Sequence, residues 1–243
     1  MSHACHKLRS TSMPTTDPRP AFLLVHGAWH RPTCWAPLQE ALTADGWQSR
    51  TVALPSGGPQ GTPSAGMYAD AEEVSARLRE TAGPVVVVGH SYGGFPITEA
   101  AGDHPNVTRL VYLAAYVPEE GEYARGMHGI PQRDDLEGSA PGFEDPRSGL
   151  YQDVPEDLAE RAIGELVEQS VRSFHEPLTK AAWRTVPSTY ILCEEDRALR
   201  PPMQEKMAAR TSRIERLATG HSPFLSAPAE LAALLARIAS AED

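Results

Sequence analysis

The chain has 243 residues, of which 41% are hydrophobic and 22% are charged, a composition typical of a soluble globular protein with one large core. It contains 32 acidic and 22 basic residues, and its net charge of -10 argues against nucleic acid and anionic lipid as partners. Three widely spaced cysteines, Cys5, Cys34 and Cys193, argue against a disulfide framework or a zinc site and favour a reducing, cytoplasmic compartment.

The first residues, 1–20, are polar and rich in Ser, Thr and Pro, and they lack the apolar segment of a secretory signal peptide. We predict a disordered tail. His3, Cys5 and His6 could hold a metal ion there, but residues of a flexible tail are more often solvated, so we predict no metal site. No stretch of the chain approaches the roughly 20 apolar residues of a membrane span, so we predict no membrane partner.

From residue 21 onward, predicted strands alternate with predicted helices. Short apolar runs indicate strands, and apolar residues that recur every three or four positions indicate helices. In chain order the predicted elements are strand 21–27, helix 35–46, strand 48–55, loop 55–66, helix 67–80, strand 85–89, helix 92–103, strand 109–117, strand 188–193, helix 201–210, strand 213–218 and helix 228–239. This order predicts an α/β fold with a mostly parallel central sheet and helices on both faces.

Residues 118–184 interrupt this alternation. They are rich in Pro, Gly and charged residues as far as Asp153, and a helix is then predicted over 155–170. Four residues would share one face of this helix: Leu158, Ala162, Leu166 and Gln169. We predict an inserted helical cap at 118–184, between the two parts of the core, 21–117 and 185–243. The helix could pack on its own loop or contact a substrate, and the sequence favours neither.

The segment VVVVGHSYGG, residues 85–94, joins a central strand to the following helix. Gly89, Ser91 and Gly93 form the pattern GxSxG, which is common by chance but here lies between a buried strand and a helix. A sharp turn at this place would lift the serine hydroxyl above the edge of the sheet, and glycines would relieve crowding around a strained serine. We therefore interpret Ser91 as a candidate nucleophile.

A serine hydroxyl needs an imidazole to accept its proton and a carboxylate to orient that imidazole. In this type of fold the order along the chain is Ser, acid, His, and only His221 follows both Ser91 and the strand that should end in the acid. His90 is expected to point away from the reaction. We interpret the other histidines beyond the tail as packing, surface or pocket residues: His26, His30, His104, His128 and His175.

Three consecutive carboxylates follow the strand 188–193, namely Glu194, Glu195 and Asp196. We favour Asp196 over Glu195 as the orienting acid, because a short side chain suits this place and aspartate favours such turns. A solvated, charged turn is the alternative interpretation for all three residues.

Hydrolysis also needs donors for the oxyanion that develops on the substrate. We expect these to be the backbone N–H groups of Tyr92, which follows the candidate nucleophile, and of Ala28, in the loop after the first strand. Trp29 could cover the pocket or simply pack. Three further residues are candidates for the pocket but would serve equally well as core fillers: Met127, Phe143 and Trp183.

The segments LLVHGAWH, VVVVGHSYGG, LVYLAAYVP, YILCEEDRAL and GHSPFLSAPAEL, in this order, resemble the α/β-hydrolase superfamily. They look most like the branch that contains plant methyl-ester esterases, salicylate-binding esterase, hydroxynitrile lyases and related bacterial carboxylesterases, and the likeness covers residues 20–243. The resemblance implies an α/β-hydrolase fold and the same five site residues: Ser91, His221, Asp196, Ala28 and Tyr92.

Lyase members of that branch carry a threonine where this chain has Gly27 and a lysine where it has Ser222, which favours hydrolysis here. We therefore expect a serine hydrolase that cleaves a small carboxylic ester through an acyl-enzyme, with no metal or organic cofactor. Two alternatives remain: a lyase or biosynthetic cyclase that uses the same residues as a general base, and a non-catalytic receptor for a small molecule. The sequence leaves the oligomeric state open between monomer and homodimer.

Overall fold

The computed structural model describes residues 19–58 and 64–241. Most of the predicted tail therefore lies outside the described residues, together with the three residues considered there as metal ligands: His3, Cys5 and His6. Within the two described ranges, every helix is too short or too polar to span a lipid bilayer. These ranges also contain no group of three His, Cys, Asp or Glu side chains placed to bind a metal ion.

The described residues form eight strands. They are β1 (Ala21–Val25), β2 (Ser49–Val52), β3 (Val85–His90), β4 (Val107–Leu113), β5 (Ser139–Ala140), β6 (Gln169–Ser170), β7 (Ser188–Cys193) and β8 (Arg213–Leu217). Six of them form a central sheet in the order β2-β1-β3-β4-β7-β8, and every neighbouring pair in it is parallel. The short strands β5 and β6 form a separate antiparallel pair. The central sheet confirms the predicted fold class.

Nine α-helices accompany the strands in the described ranges. They are α1 (Ala36–Ala44), α2 (Met67–Glu80), α3 (Gly94–Ala100), α4 (Pro146–Gly149), α5 (Glu156–Gly164), α6 (Val171–His175), α7 (Pro201–Ala208), α8 (Pro223–Ser226) and α9 (Pro228–Ser240). Helices α1, α8 and α9 contribute buried side chains to the apolar core on one face of the sheet. Helices α2, α3 and α7 contribute to the core on the other face. Both faces are therefore covered, as the sequence predicted.

The valine run of β3 lies at the centre of this arrangement. Val85 and Val87 belong to one core, Val86 and Val88 belong to the other, and all four are buried. Successive side chains of a strand point to opposite faces, so a strand covered on both sides needs apolar residues at every position. Each such burial contributes about 1.5–3 kcal/mol to folding. The strand that leads to Ser91 is consequently held firmly in place.

Several predicted elements end a few residues earlier than the sequence indicated, and two of these differences bear on the site. The strand predicted over 109–117 leaves the sheet after Leu113, and Ala114 has a φ of 42°. The apolar sequence pattern nevertheless continues beyond Leu113, because Ala115 and Val117 are buried in the core outside the sheet. The helix predicted over 155–170 ends at Gly164, so Leu166 and Gln169 do not continue its face. Instead, Gln169 joins β6, where its side chain is buried in a polar network.

The predicted cap, residues 118–184, contributes α4, α5, α6, β5 and β6, and none of its residues joins the central sheet. Several hydrogen bonds join it to the loop after β1. The backbone N–H of Val167 donates to the carbonyl of Trp29 at 2.8 Å, and the Tyr151 hydroxyl lies 2.9 Å from Nε2 of His30. The insertion is thus attached to the loop in which Ala28 was predicted as a donor.

We expect Gly94→Ala to destabilise the fold, because a Cβ at this first position of α3 would overlap the backbone carbonyl oxygen of Tyr116. The overlap requires a backbone shift, and overpacking of this kind typically costs about 1–3 kcal/mol. Gly164→Ala, at the end of α5, is the control, because nothing lies within 4 Å of an added Cβ there. It should be neutral or stabilise by up to about 1 kcal/mol. Urea unfolding followed by circular dichroism measures both changes, and equal effects would contradict this account.

Candidate active site

The turn from β3 into α3 places Ser91 in a strained backbone conformation. Its φ is 52°, in the left-handed region that residues with a Cβ rarely adopt, at a cost of about 1–3 kcal/mol. A Cβ on Gly93 would lie 2.6 Å from the carbonyl oxygen of Val25, and one on Gly89 would lie 2.8 Å from that of Gly93. Both glycines therefore provide the space that the turn requires, which is the physical basis of the GxSxG pattern.

The loop after β1 lies directly against this turn. Val25 of β1 pairs with Gly89 of β3, so the residues that follow both strands leave the sheet side by side. A Cβ on Gly27 would lie 3.0 Å from the Cβ of Ser91. Ala28 follows and lines the same cavity as Ser91, and Trp29 next to it has a φ of 62°. The absence of a side chain at position 27 thus lets the backbone of this loop approach Ser91.

His221 and Asp196 form a buried hydrogen-bonded pair beyond the ends of β8 and β7. Nδ1 of His221 lies 2.7 Å from Oδ2 of Asp196. The carboxylate also accepts hydrogen bonds from the Gln204 side chain at 3.1 Å and from two backbone N–H groups, of Ala198 at 2.8 Å and Leu199 at 2.9 Å. Since Nδ1–H donates to the carboxylate, Nε2 of the neutral imidazole carries the free lone pair. This is the arrangement that a proton acceptor needs.

The structure distinguishes Asp196 from its neighbours in the acidic run. The side chains of Glu194 and Glu195 are exposed, whereas Asp196 is buried against His221. Asp196 accepts hydrogen bonds from the backbone N–H groups of Ala198 and Leu199. These bonds stabilise the turn expected of an aspartate at this position. Among these three carboxylates, Asp196 is therefore the one placed to orient an imidazole.

His90 lies behind His221 and outside the cavity lining. Its Nε2 donates to the backbone carbonyl of His221 at 2.9 Å, and the two ring centres are 4.6 Å apart. Burial lowers the pKa of His90 well below its ordinary value, so the ring is neutral. His90 thus supports the loop that carries His221 and turns away from the cavity, in the orientation expected from the sequence.

Ser91 and His221 line one cavity of about 310 Å³. Trp29 and Phe143, two of the candidate pocket residues, line it as well. The assignment of Met127 and Trp183 to the pocket requires correction. Met127 packs against the core, and Trp183 packs there while its Nε1 donates to the carbonyl of Pro118 at 2.9 Å. Both are core fillers, the alternative that the sequence allowed.

Sequence reasoning did not assign several other residues to the cavity. They are His30, Tyr116, Arg125, His128, Ile130, Leu150, Ala198 and Leu199. His30 and His128 belong to the histidines for which the sequence allows a packing, surface or pocket role. Burial lowers the pKa of His30 to about 3, and its Nδ1 lies 2.8 Å from the carbonyl oxygen of Ala28. Ala198 and Leu199 directly follow Asp196 and could have been found from that position. The residues of the insertion have no comparable signal, because no regular pattern relates them to Ser91.

A buried carboxylate, Asp70, also lies near the turn. It accepts hydrogen bonds from the Tyr92 hydroxyl at 2.6 Å and from Ser56, through its hydroxyl at 2.5 Å and its backbone N–H at 2.9 Å. Burial raises the pKa of Asp70 to about 7, and these hydrogen bonds offset part of the increase. The sequence does contain a signal for this residue: Asp70 lies on the apolar face of α2, between Met67 and Val74.

This polar network extends to the loop after β1. The Gln169 amide nitrogen donates to the hydroxyl of Ser56 at 2.6 Å and to that of Ser173 at 2.9 Å. Its amide oxygen accepts a hydrogen bond from the backbone N–H of Trp29 at 3.2 Å. The network therefore connects the side chain of Tyr92, next to Ser91, with the backbone that directly follows Ala28.

Comparison with known proteins gives consistent results. The chain matches the model of the alpha/beta hydrolase family over residues 22–234. It is 32% identical to alpha/beta hydrolase nvfD of Aspergillus novofumigatus, over 86% of this chain and 92% of that protein. It is 28% identical to methylesterase 1 of Arabidopsis thaliana, over 90% of this chain and 95% of the relative.

The solved structure of another Arabidopsis methylesterase superposes with a TM-score of 0.78 at 26% sequence identity, and the match covers 91% of this chain and 99% of that one. The family model spans the central sheet except for Ala21, the first residue of β1, and it includes all site residues described above. The chain therefore belongs to the α/β-hydrolase family, as a carboxylesterase-type enzyme of the branch that contains the plant methylesterases.

Proposed function

We propose that this protein is a serine esterase that hydrolyses a small carboxylic ester through an acyl-enzyme on Ser91. One observation carries the proposal: Ser91, on a strained turn, and His221, hydrogen-bonded to Asp196 at 2.7 Å, line the same cavity. The methylesterases of Arabidopsis support the ester as the substrate class. The partner of the protein in this proposal is a small-molecule ester.

In the first half of the reaction, the Ser91 hydroxyl attacks the ester carbonyl while Nε2 of His221 accepts its proton. Asp196 keeps Nδ1–H as the donor and stabilises the imidazolium that forms. The intermediate then collapses, His221 gives the proton to the departing alkoxide, and the acyl group stays on Ser91. In the second half, water attacks the acyl-enzyme with His221 again as the base, which releases the carboxylic acid.

The backbone N–H groups of Ala28 and Tyr92 stabilise the negative charge on the carbonyl oxygen in this proposal. The closeness of residue 27 to Ser91 supports the role of Ala28, and Tyr92 directly follows the nucleophile. Each donor of this kind contributes about 3 kcal/mol to stabilisation of the transition state in related reactions. The Tyr92 hydroxyl donates a hydrogen bond to Asp70. The Tyr92 side chain is therefore held away from the cavity, while its backbone N–H remains at the turn.

Hydrolysis is favoured over the lyase alternative by the space around Gly27. A Cβ at this position would lie 3.0 Å from both the Cβ of Ser91 and Nδ1 of His90, closer than ordinary van der Waals contact. The threonine found there in the lyases would therefore press against the nucleophile in this chain. Gly27 instead leaves space beside Ser91 for the carbonyl oxygen of the substrate ester.

We expect Ser91→Ala to lower kcat/KM for small esters by at least about 10⁴-fold, the scale seen when a triad nucleophile is removed. Ser188→Ala is the control. Ser188 is the buried first residue of β7, whereas Ser91 follows the last residue of β3, and the Ser188 hydroxyl has no hydrogen-bond partner among the described residues. Wild type and Ser188→Ala should also react with a fluorophosphonate, and mass spectrometry should place the adduct on residue 91. Full activity of Ser91→Ala on a broad ester panel would refute the proposal.

Asp70→Asn should change how stability depends on pH. The pKa of Asp70 is raised from 3.8 to about 7, so between these values the folded protein keeps a proton that the unfolded chain has released. The stability of wild type should therefore fall as the pH rises from about 4 to about 7, by about 1.4 kcal/mol per unit of pKa difference at most. Asp70→Asn should lack this contribution.

Urea unfolding at several pH values measures the difference between the two proteins. Asp45→Asn, which removes an exposed carboxylate, is the control for the loss of one negative charge. Parallel stability profiles for wild type and Asp70→Asn between pH 4 and 7 would show that this carboxyl does not hold a proton in the fold.

A further inference from the structure

Arg125 is the only residue with a permanent charge among the described residues that line the cavity with Ser91 and His221. It directly precedes the short turn Gly126–His128 of the insertion. No aspartate or glutamate lines this cavity in the described parts of the chain. The described lining of the cavity thus carries one permanent positive charge and no carboxylate, although the chain as a whole has a net charge of -10.

The surroundings of Arg125 differ from those of comparable arginines. Five arginines of the described residues are half-buried, and four of them form ion pairs with glutamates. These pairs are Arg77 with Glu73, Arg147 with Glu156, Arg172 with Glu137 and Arg210 with Glu122. The guanidinium carbon of Arg125 instead lies 5.3 Å from the centre of the Phe174 ring, and no described carboxylate pairs with it.

The charge of Arg125 acts on other groups of the cavity wall. Burial lowers the pKa of His128, and Arg125 lowers it further. Burial raises the pKa of the Tyr116 hydroxyl, and Arg125 opposes this increase. Tyr116 and His128 are hydrogen-bonded to each other at 2.7 Å. Asp196 acts on Tyr116 in the opposite direction to Arg125, but it forms no ion pair with Arg125. The positive charge is therefore close to this part of the wall and has no carboxylate partner among the described residues.

The chemistry of a matching ligand follows from these observations. A guanidinium presents a planar set of N–H donors that fits a carboxylate with two parallel hydrogen bonds. One guanidinium matches one negative charge, and a phosphate dianion would be left partly uncompensated. Much of the remaining wall is apolar, with Ile130, Phe143, Leu150 and Leu199, and the volume of about 310 Å³ limits the size of the molecule.

We propose that the substrate is an ester that also carries a free carboxylate, and that Arg125 binds this carboxylate while the ester carbonyl lies at Ser91. The simplest such compounds are monoesters of dicarboxylic acids. The inference rests on the proposed esterase function and adds the substrate class. Water cleaves the acyl–oxygen bond, which releases the alcohol, a second carboxylate and a proton, and the carboxylate bound by Arg125 is unchanged.

The first test compares monomethyl esters of succinic, glutaric, adipic and pimelic acid with methyl alkanoates of the same chain length. Wild type should hydrolyse at least one monoester with a kcat/KM roughly 10- to 100-fold above that of its neutral counterpart, the scale of a hydrogen bond to a charged group. Arg125→Gln should abolish this preference through a higher KM for the monoester, since the carboxylate contact is the same in ground and transition state. Arg125→Lys should retain part of it, because lysine keeps the charge without the planar donors.

Arg133→Gln is the matched control, since Arg133 is an exposed arginine of the same segment and does not line the cavity. It should leave kcat/KM for both ester series within about twofold of wild type. The proposal is overturned if Arg125→Gln lowers both series equally, or if wild type shows no preference for a monoester at any chain length. Hydrolysis of neutral esters that still depends on Ser91 would then leave the esterase function standing alone.

A binding measurement tests Arg125 independently of turnover. Calorimetric titration of Ser91→Ala with the preferred monomethyl ester should give a Kd that the added change Arg125→Gln raises roughly 10- to 100-fold. Equal affinity of the two variants, or no binding of any monoester to Ser91→Ala, would contradict the proposal. The esterase function itself is judged separately, from turnover of neutral esters and fluorophosphonate labelling of Ser91 in wild type.

Discussion

Parallel pairing of the central strands is the constraint on which the site depends. The carboxyl ends of parallel strands meet at one edge of a sheet, so the loops that follow β1, β3, β7 and β8 lie close together. These loops carry Ala28, Ser91, Asp196 and His221, which are far apart along the chain. The apolar cores on both faces fix the strands, and the loops thereby gain a rigid support for the groups that the proposed reaction brings together.

Two buried carboxylates near this edge have different environments and therefore different properties. Asp196 accepts four hydrogen bonds, one of them from the imidazole of His221, and is suited to orient a base. Asp70 has only neutral partners, from Ser56 and Tyr92, and burial raises its pKa to about 7. Its hydrogen bonds to Tyr92 and Ser56, continued from Ser56 through Gln169 to the backbone of Trp29, connect the side chain of Tyr92 with the loop that carries Ala28. Its contribution is therefore to the position of the backbone.

The parts of the fold and site that could be predicted are those in which a physical requirement leaves a local pattern. A strand buried on both faces must be apolar throughout, as in 85–88, and a strained turn at Ser91 must have small neighbours. The order of motifs along the chain then pointed to His221, which lines one cavity with Ser91. The strand end at Leu113 was missed because the apolar pattern continues into buried residues outside the sheet.

The cavity wall from the insertion could not be predicted, because the same residue types fill cores and pockets. Trp183 and Phe143 are equally plausible from sequence, yet only Phe143 lines the cavity. Arg125 has no signal at all in the sequence, since the absence of an acidic partner is a property of the folded chain. Tertiary contacts decide these assignments, and they include the hydrogen bond that places Gln169 beside Trp29.

The most direct test of the central claim is to detect the covalent intermediate during turnover. Wild type mixed with a slowly hydrolysed ester and quenched rapidly should gain the mass of one acyl group, located on Ser91 by peptide mass spectrometry. His221→Ala should form this species far more slowly, because the hydroxyl then lacks its proton acceptor. Steady hydrolysis by wild type with no acyl group on Ser91 at any quench time, and an undiminished rate in Ser91→Ala, would contradict the account.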